Sequence, residues 1–261
     1  MSGARRSTRQ PPVSEPAASP GIDLDGALRN VLEKRSLGDM PRRYVVLVEG
    51  TTDIEYLNAA VEVIKSRCSC DLLDLGNGAQ IAIHTPLKPG TTRGGIDELV
   101  PLADELRTFV ITLEAVGPMC IVLDHDEAGK SAYRKIQDYG YCVPRSMAIL
   151  LDPKEHPSAC DTLKGHKVVC VEDLLSVGIQ KKYFDDRSPS CEVSFRDGVP
   201  VKYVWHRPSK DELPEFVRTN AEPQDLCELV RLIVRIRKLW SLEIPEAVEE
   251  LLQSHDAGVV E

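Results

Sequence analysis

The chain has 261 residues, 42% of them hydrophobic and 28% charged, with 32 basic side chains against 41 acidic ones and a net charge of −9. These proportions describe a globular protein, and the longest apolar runs fall far short of the ~20 residues that span a bilayer. So acidic a chain is excluded as a simple charge-driven binder of nucleic acid. Any action on DNA or RNA needs metal ions, a local basic patch or a partner to offset its field.

Residues 1–21, "MSGARRSTRQPPVSEPAASPG", offer too little apolar surface to offset the entropy of ordering and read as a disordered tail. They contain no apolar segment of the kind that directs export, so the expected location is the cytoplasm. The eight cysteines are then expected to be reduced thiols. "RCSC" at 67–70 and "HPSAC" at 156–160 match no zinc spacing. Residues 22–41 are expected to form a short amphipathic helix and a linker.

"YVVLV" at 44–48 is a continuous apolar run rich in β-branched valine, the pattern of a strand covered on both faces in a parallel sheet. Thr52 and Glu55 give a capping signature, and Ile54, Leu57, Val61 and Ile64 continue as a helical stripe. "CDLLDLG" at 70–76 reads as the second strand, followed by a Gly/Pro-rich loop at 84–95 and a helix near 96–115. "MCIVL" at 119–123 is the third strand, with a helix from about Lys130 to Tyr139 behind it. Strands near 145–151 and 167–171 complete an alternation that predicts an α/β fold with a mainly parallel sheet flanked by helices. From residue 188 the pattern changes to a hairpin turning at Asp197-Gly198, then helices near 210–219, 223–240 and 245–253. The expected organisation is a catalytic domain at 42–187 and an extension of hairpin plus helices at 188–261.

Ligands collect at the carboxyl ends of parallel strands. Glu49 stands at the end of the first strand, and Asp124 and Asp126 at the end of the third. Residues two apart in an extended segment point the same way, so both aspartates can address one site while His125 points elsewhere. Carboxylates gathered at one rim repel each other unless a cation neutralises them, and oxygen-only donors suit Mg²⁺ or Mn²⁺.

"VLVEGTTDIEYL", followed about seventy residues later by "CIVLDHDEAG", resembles the Toprim domain of topoisomerases, bacterial primases and several nucleases. The likeness spans roughly residues 42–175. Asp53, four residues after Glu49, together with "VVCVEDLLSVG", is similar to Toprim nucleases of the OLD (overcoming lysogenisation defect) type. That resemblance implies a metal-dependent endonuclease with two Mg²⁺ or Mn²⁺ ions. Glu49, Asp124 and Asp126 would then be catalytic, with Asp53 and Glu172 (Asp173 beside it) as supplementary ligands. Lys210, in "PSKDELPEFV", would offset charge on the scissile phosphate.

OLD proteins usually carry a fused ATPase, whereas this chain has no G-x-x-x-x-G-K-[ST] loop. An ATPase would therefore be a separate subunit, with antiviral defence as the implied setting and no membrane involved. A homo-oligomer is one option for the assembly. Lys88 and Arg93 in the 84–95 loop, and Arg231 and Arg235 in "LVRLIVRIRKLW", are candidate nucleic-acid contacts. The competing readings are a non-catalytic Toprim-like scaffold subunit and a small RNA-maturation nuclease.

Overall fold

A computed structural model describes residues 44–76, 79–85, 96–99, 101–102, 119–139, 148–156 and 169–258. The expected tail at 1–21, the helix and linker at 22–41, and loop residues Lys88 and Arg93 lie outside the described residues.

Four strands, β1 (Val45–Leu47), β4 (Ala82–His84), β5 (Met119–Leu123) and β6 (Ala148–Leu150), form one sheet in the order β4-β1-β5-β6. Every ladder in it is parallel. Val46, Val48, Cys120, Val122 and Ile149 belong to the main apolar cluster on one face. The alternate residues Val45, Leu47, Ile121 and Leu123 are buried outside that cluster, together with Ala132 and Ile136. Burial of both residue parities is what a strand covered on two faces requires.

The first face is covered by α1 (Thr51–Cys68), against which pack α4 (Ser209–Asn220) and α5 (Cys227–Leu239). The second is covered by α2 (Glu127–Tyr139), which contacts β5 and β6. α1 is buried on more than one side: Tyr56, Leu57, Ala59, Ala60 and Ile64 are all fully covered. The apolar cluster runs without interruption from β1 into α5, across the boundary expected at 187/188.

Three expectations are corrected. The second strand of the parallel sheet is β4, while β2 (Asp74–Gly76) pairs antiparallel with β3 (Ala79–Gln80) in a ribbon of its own. Within "CDLLDLG", Asp71 turns the chain by accepting from the N–H of Leu73, so the apolar run does not extend into the sheet. No ladder forms at Val169–Cys170: Val169 gives its carbonyl to the N–H of His125, and the chain enters a 3₁₀ turn at Val171–Leu174. α1 begins two residues before the expected capping box: Gly50 is the N-cap, and Asp53 rather than Glu55 is the acid at N3, its Oδ2 accepting the Gly50 N–H at 2.8 Å. Glu55 is thereby freed to pair with Arg218 of α4.

The remaining elements are α3 (Val177–Arg187), the hairpin β7 (Cys191–Arg196) and β8 (Val199–Trp205), a 3₁₀ turn at Pro223–Leu226 and α6 (Glu246–Gly258). Asp197 and Gly198 both have positive φ, 51° and 79°, as a two-residue turn between right-twisted strands demands. Among the described residues no helix is long and apolar enough to cross a membrane.

A candidate metal-binding carboxylate site

The sheet order places the site. From β1 the chain leaves through α1 to β4 on one side, whereas from β5 it leaves through α2 to β6 on the other. Right-handed crossovers then send the two helices to opposite faces, and a crevice opens beyond the carboxyl ends of β1 and β5. Glu49 and Asp124 stand on its two sides.

Glu49 is held from both neighbours. Thr85 Oγ1, just past β4, donates to the Glu49 carbonyl at 2.9 Å, and Glu49 Oε1 accepts the Asp124 N–H at 2.8 Å. Asp124 in turn accepts the Val171 N–H on Oδ1 at 3.2 Å, which ties β5 to the 3₁₀ turn bearing Glu172 and Asp173. Asp126 Oδ1 accepts the Gly129 N–H at 2.7 Å and caps the start of α2. The turn places its consecutive acids opposite two lysines: Glu172 Oε1 lies 2.7 Å from Lys210 Nζ, and Asp173 Oδ2 lies 2.8 Å from Lys202 Nζ. Tyr56 O–H donates to the Lys210 carbonyl at 3.0 Å and anchors the first turn of α4.

Crowded acids in a dry setting hold their protons. Burial, reinforced by Asp126 and Asp53, raises Glu49 to about 7. Burial and then Glu172 raise Asp53 to about 6, and the same two causes raise Asp173 to about 6. Asp124 is pushed well above the carboxylate range by burial and then by Asp53, Glu172 and Glu49. Lys210 and Lys202 are raised, because the acids facing them outweigh burial.

Glu49, Asp53, Asp124, Asp126, Glu172 and Lys210 are thus gathered at one place. Lys202, opposite Asp173, carries no signal in the sequence. It sits in a β8 strand whose alternation gave no sign of an inward-facing cation, and only the fold carries it to Asp173. Arg231 and Arg235 do not present bare cations: Arg231 pairs with Glu228 and Asp256, and Arg235 with Glu155. Arg237, in the same basic run, is buried and donates to the carbonyls of Leu72, Asp74 and Glu243 as a structural strut.

The donor set fits a hard divalent cation: it is oxygen-only and mutually repelling, and Glu172 Oε2 is buried with no partner. As they stand, no three His, Cys, Asp or Glu side chains among the described residues converge closely enough to hold an ion. One oxygen of Glu49, Asp53, Asp124 and Asp126 is engaged by a backbone N–H, and one of Glu172 by Lys210. Comparison with protein-family models, with curated proteins and with solved structures returns no match.

A pH experiment follows from Glu49. Its folded-state value of about 7 exceeds the ordinary 4.5, so the native state binds this proton more tightly than the unfolded chain. The associated stability is present at low pH and is lost as pH rises through the folded value. Without metal, Glu49→Gln is expected to melt close to wild type at about pH 5 and above it at about pH 8. A thermal melt series checks this, and a gap that stays constant with pH refutes it. Added Mn²⁺ is expected to raise the wild-type midpoint more at the higher pH, since the cation competes with protons for the same oxygens.

Proposed function

We propose that the chain is a Mg²⁺- or Mn²⁺-dependent nuclease that hydrolyses phosphodiester bonds in DNA or RNA. The observation that carries this reading is the 2.8 Å hydrogen bond from the Asp124 N–H to Glu49 Oε1, which joins two acidic segments 75 residues apart at the sheet's switch point. Glu49 and Asp124 also carry the resemblance to the Toprim domain, and Asp53 and Glu172 the resemblance to its OLD-type nucleases.

Glu49, Asp124 and Asp126 would hold the cations, with Asp53 and Glu172 as further ligands. When bound, two such ions supply an activated water and neutralise charge on the phosphate and the leaving oxygen. The chain's own groups do the rest. Glu49 would serve either as one of these ligands or as the general base that takes the proton of the attacking water. Lys210 is cationic, anchored by its own backbone and aimed into the acid cluster, and stabilises charge building on the phosphate.

Lys210→Met is expected to slow cleavage by about 10²- to 10³-fold, the usual scale for removing one preorganised electrostatic donor. It should leave Mn²⁺ affinity equal or higher, because Glu172 is released from its ion pair. Lys210→Arg should recover part of the rate. Incubating the purified chain with plasmid DNA and with tRNA, each with Mg²⁺, Mn²⁺ or EDTA, tests the function and separates a DNA enzyme from an RNA-maturation nuclease. A separate ATPase subunit and a role in antiviral defence are part of the same proposal.

One observation favours a second reading, a non-catalytic scaffold: a single oxygen of each acid is already satisfied inside the protein. On that reading the chain binds no Mn²⁺ and cuts neither substrate.

A further inference from the structure

An open cavity of mixed polar and apolar lining lies on α5, outside the carboxylate site. It measures about 340 Å³ and is lined by His156, Arg231, Arg235, Lys238 and Glu155, with Leu232, Val234 and Leu252 as apolar wall. His156 is only 4% exposed. Its Nδ1 lies 2.8 Å from Glu228 Oε2, and a carboxylate only accepts, so Nδ1 carries the hydrogen. Nε2 is buried with no partner, as is the Arg231 Nε hydrogen, although Glu228 Oε1 lies 3.3 Å away as a counter-charge. A native interior rarely leaves two such groups unmet in one place.

We propose that this cavity binds a small phosphate monoester with an organic, partly apolar body, of the mononucleotide class. Such a phosphate has both oxyanions and, when monoprotonated, a hydroxyl, so it can satisfy Nε2 in either protonation state of the ring. It also accepts from the Arg231 and Arg235 guanidiniums, which match phosphate geometry, and from Lys238 at the mouth. Of the acids now paired with those arginines, Glu228 is only 15% exposed and keeps its place between His156 and Arg231, while the other two can yield. Glu155 and Asp256 are half-exposed or more, and ion pairs at that exposure contribute little net stability, so a phosphate can take their place. The volume exceeds what inorganic phosphate fills, and the leucine and valine wall suits a base or sugar rather than more charge.

Calorimetric titration of the full chain with adenosine monophosphate, inorganic phosphate and a 5′-phosphorylated single-stranded oligonucleotide tests this. The monophosphate is expected to bind one site, at least about tenfold more tightly than inorganic phosphate. Arg235→Ala should weaken it by about tenfold or more, and Asp126→Asn should leave it unchanged. Glu155→Gln removes a competing carboxylate and should tighten binding, a gain that misfolding cannot produce. The proposal is overturned if the monophosphate does not bind, or if inorganic phosphate binds equally well. It is also overturned if only the oligonucleotide shows the Arg235 dependence, or if binding survives Arg235→Ala and vanishes in Asp126→Asn. None of these results depends on whether the carboxylate site cleaves nucleic acid.

Discussion

Asp126→Asn is expected to lower metal-dependent cleavage by more than about 100-fold while leaving the melting temperature close to wild type. The two halves of this result have separate physical origins. Asp126 Oδ1 accepts the Gly129 N–H at the head of α2, and the asparagine carbonyl oxygen occupies the same place, so the cap persists. What disappears is one negative charge facing Glu49, which Asp126 helps to raise. Changes to groups that merely support a metal ligand cost about 10–100-fold in affinity or activity, and loss of a ligand charge should exceed that. Without metal, Glu49, relieved of repulsion, should also titrate lower than in wild type. Wild-type cleavage by Asp126→Asn would remove the central assignment.

Gly129→Ala is expected to damage both stability and the site. A Cβ built on Gly129 meets the Asp124 carbonyl oxygen at 1.9 Å and Glu49 Oε1 at 3.2 Å. The first contact is with backbone, which cannot rotate aside, so α2 and the end of β5 must part. On an exposed helix this substitution would stabilise by about 1 kcal/mol, because alanine is the better helix former. Here overpacking should reverse the sign, to a loss of about 1–3 kcal/mol and a midpoint lower by several degrees. Cleavage should fall with it, since the strain passes directly into the Glu49–Asp124 hydrogen bond. A variant as stable as wild type would show that the close approach does not exist.

The two substitutions divide the site by cause. Asp126→Asn removes charge and keeps geometry, whereas Gly129→Ala keeps every charge and disturbs geometry. Metal titration should therefore show weakened affinity in the first with a native melt, and weakened affinity in the second only together with a lowered melt.

Local chemistry made much of the molecule readable from the chain itself. The valine-rich run at 44–48, the run at 119–123 and the Asp197-Gly198 turn each specify their structure through contacts within a few residues. The carboxylates after those strands were legible because strand ends are named by where the apolar run stops. What only the tertiary structure decided depended on residues distant in sequence. β4 rather than 70–76 joins the sheet because pairing is settled by which segment reaches β1, not by apolar content alone. Lys202 and Asp173 meet only because the hairpin folds against the 3₁₀ turn, and Gly129 is required only because α2 lies directly on Asp124. The arginines of α5 carry a basic motif in sequence, yet Glu155, Glu228 and Asp256 share their charge in the folded chain. Sequence order records which charges a chain has. Which of them stand together is decided by long-range packing, because at these distances a few ångströms determine whether a pair attracts, repels or is screened.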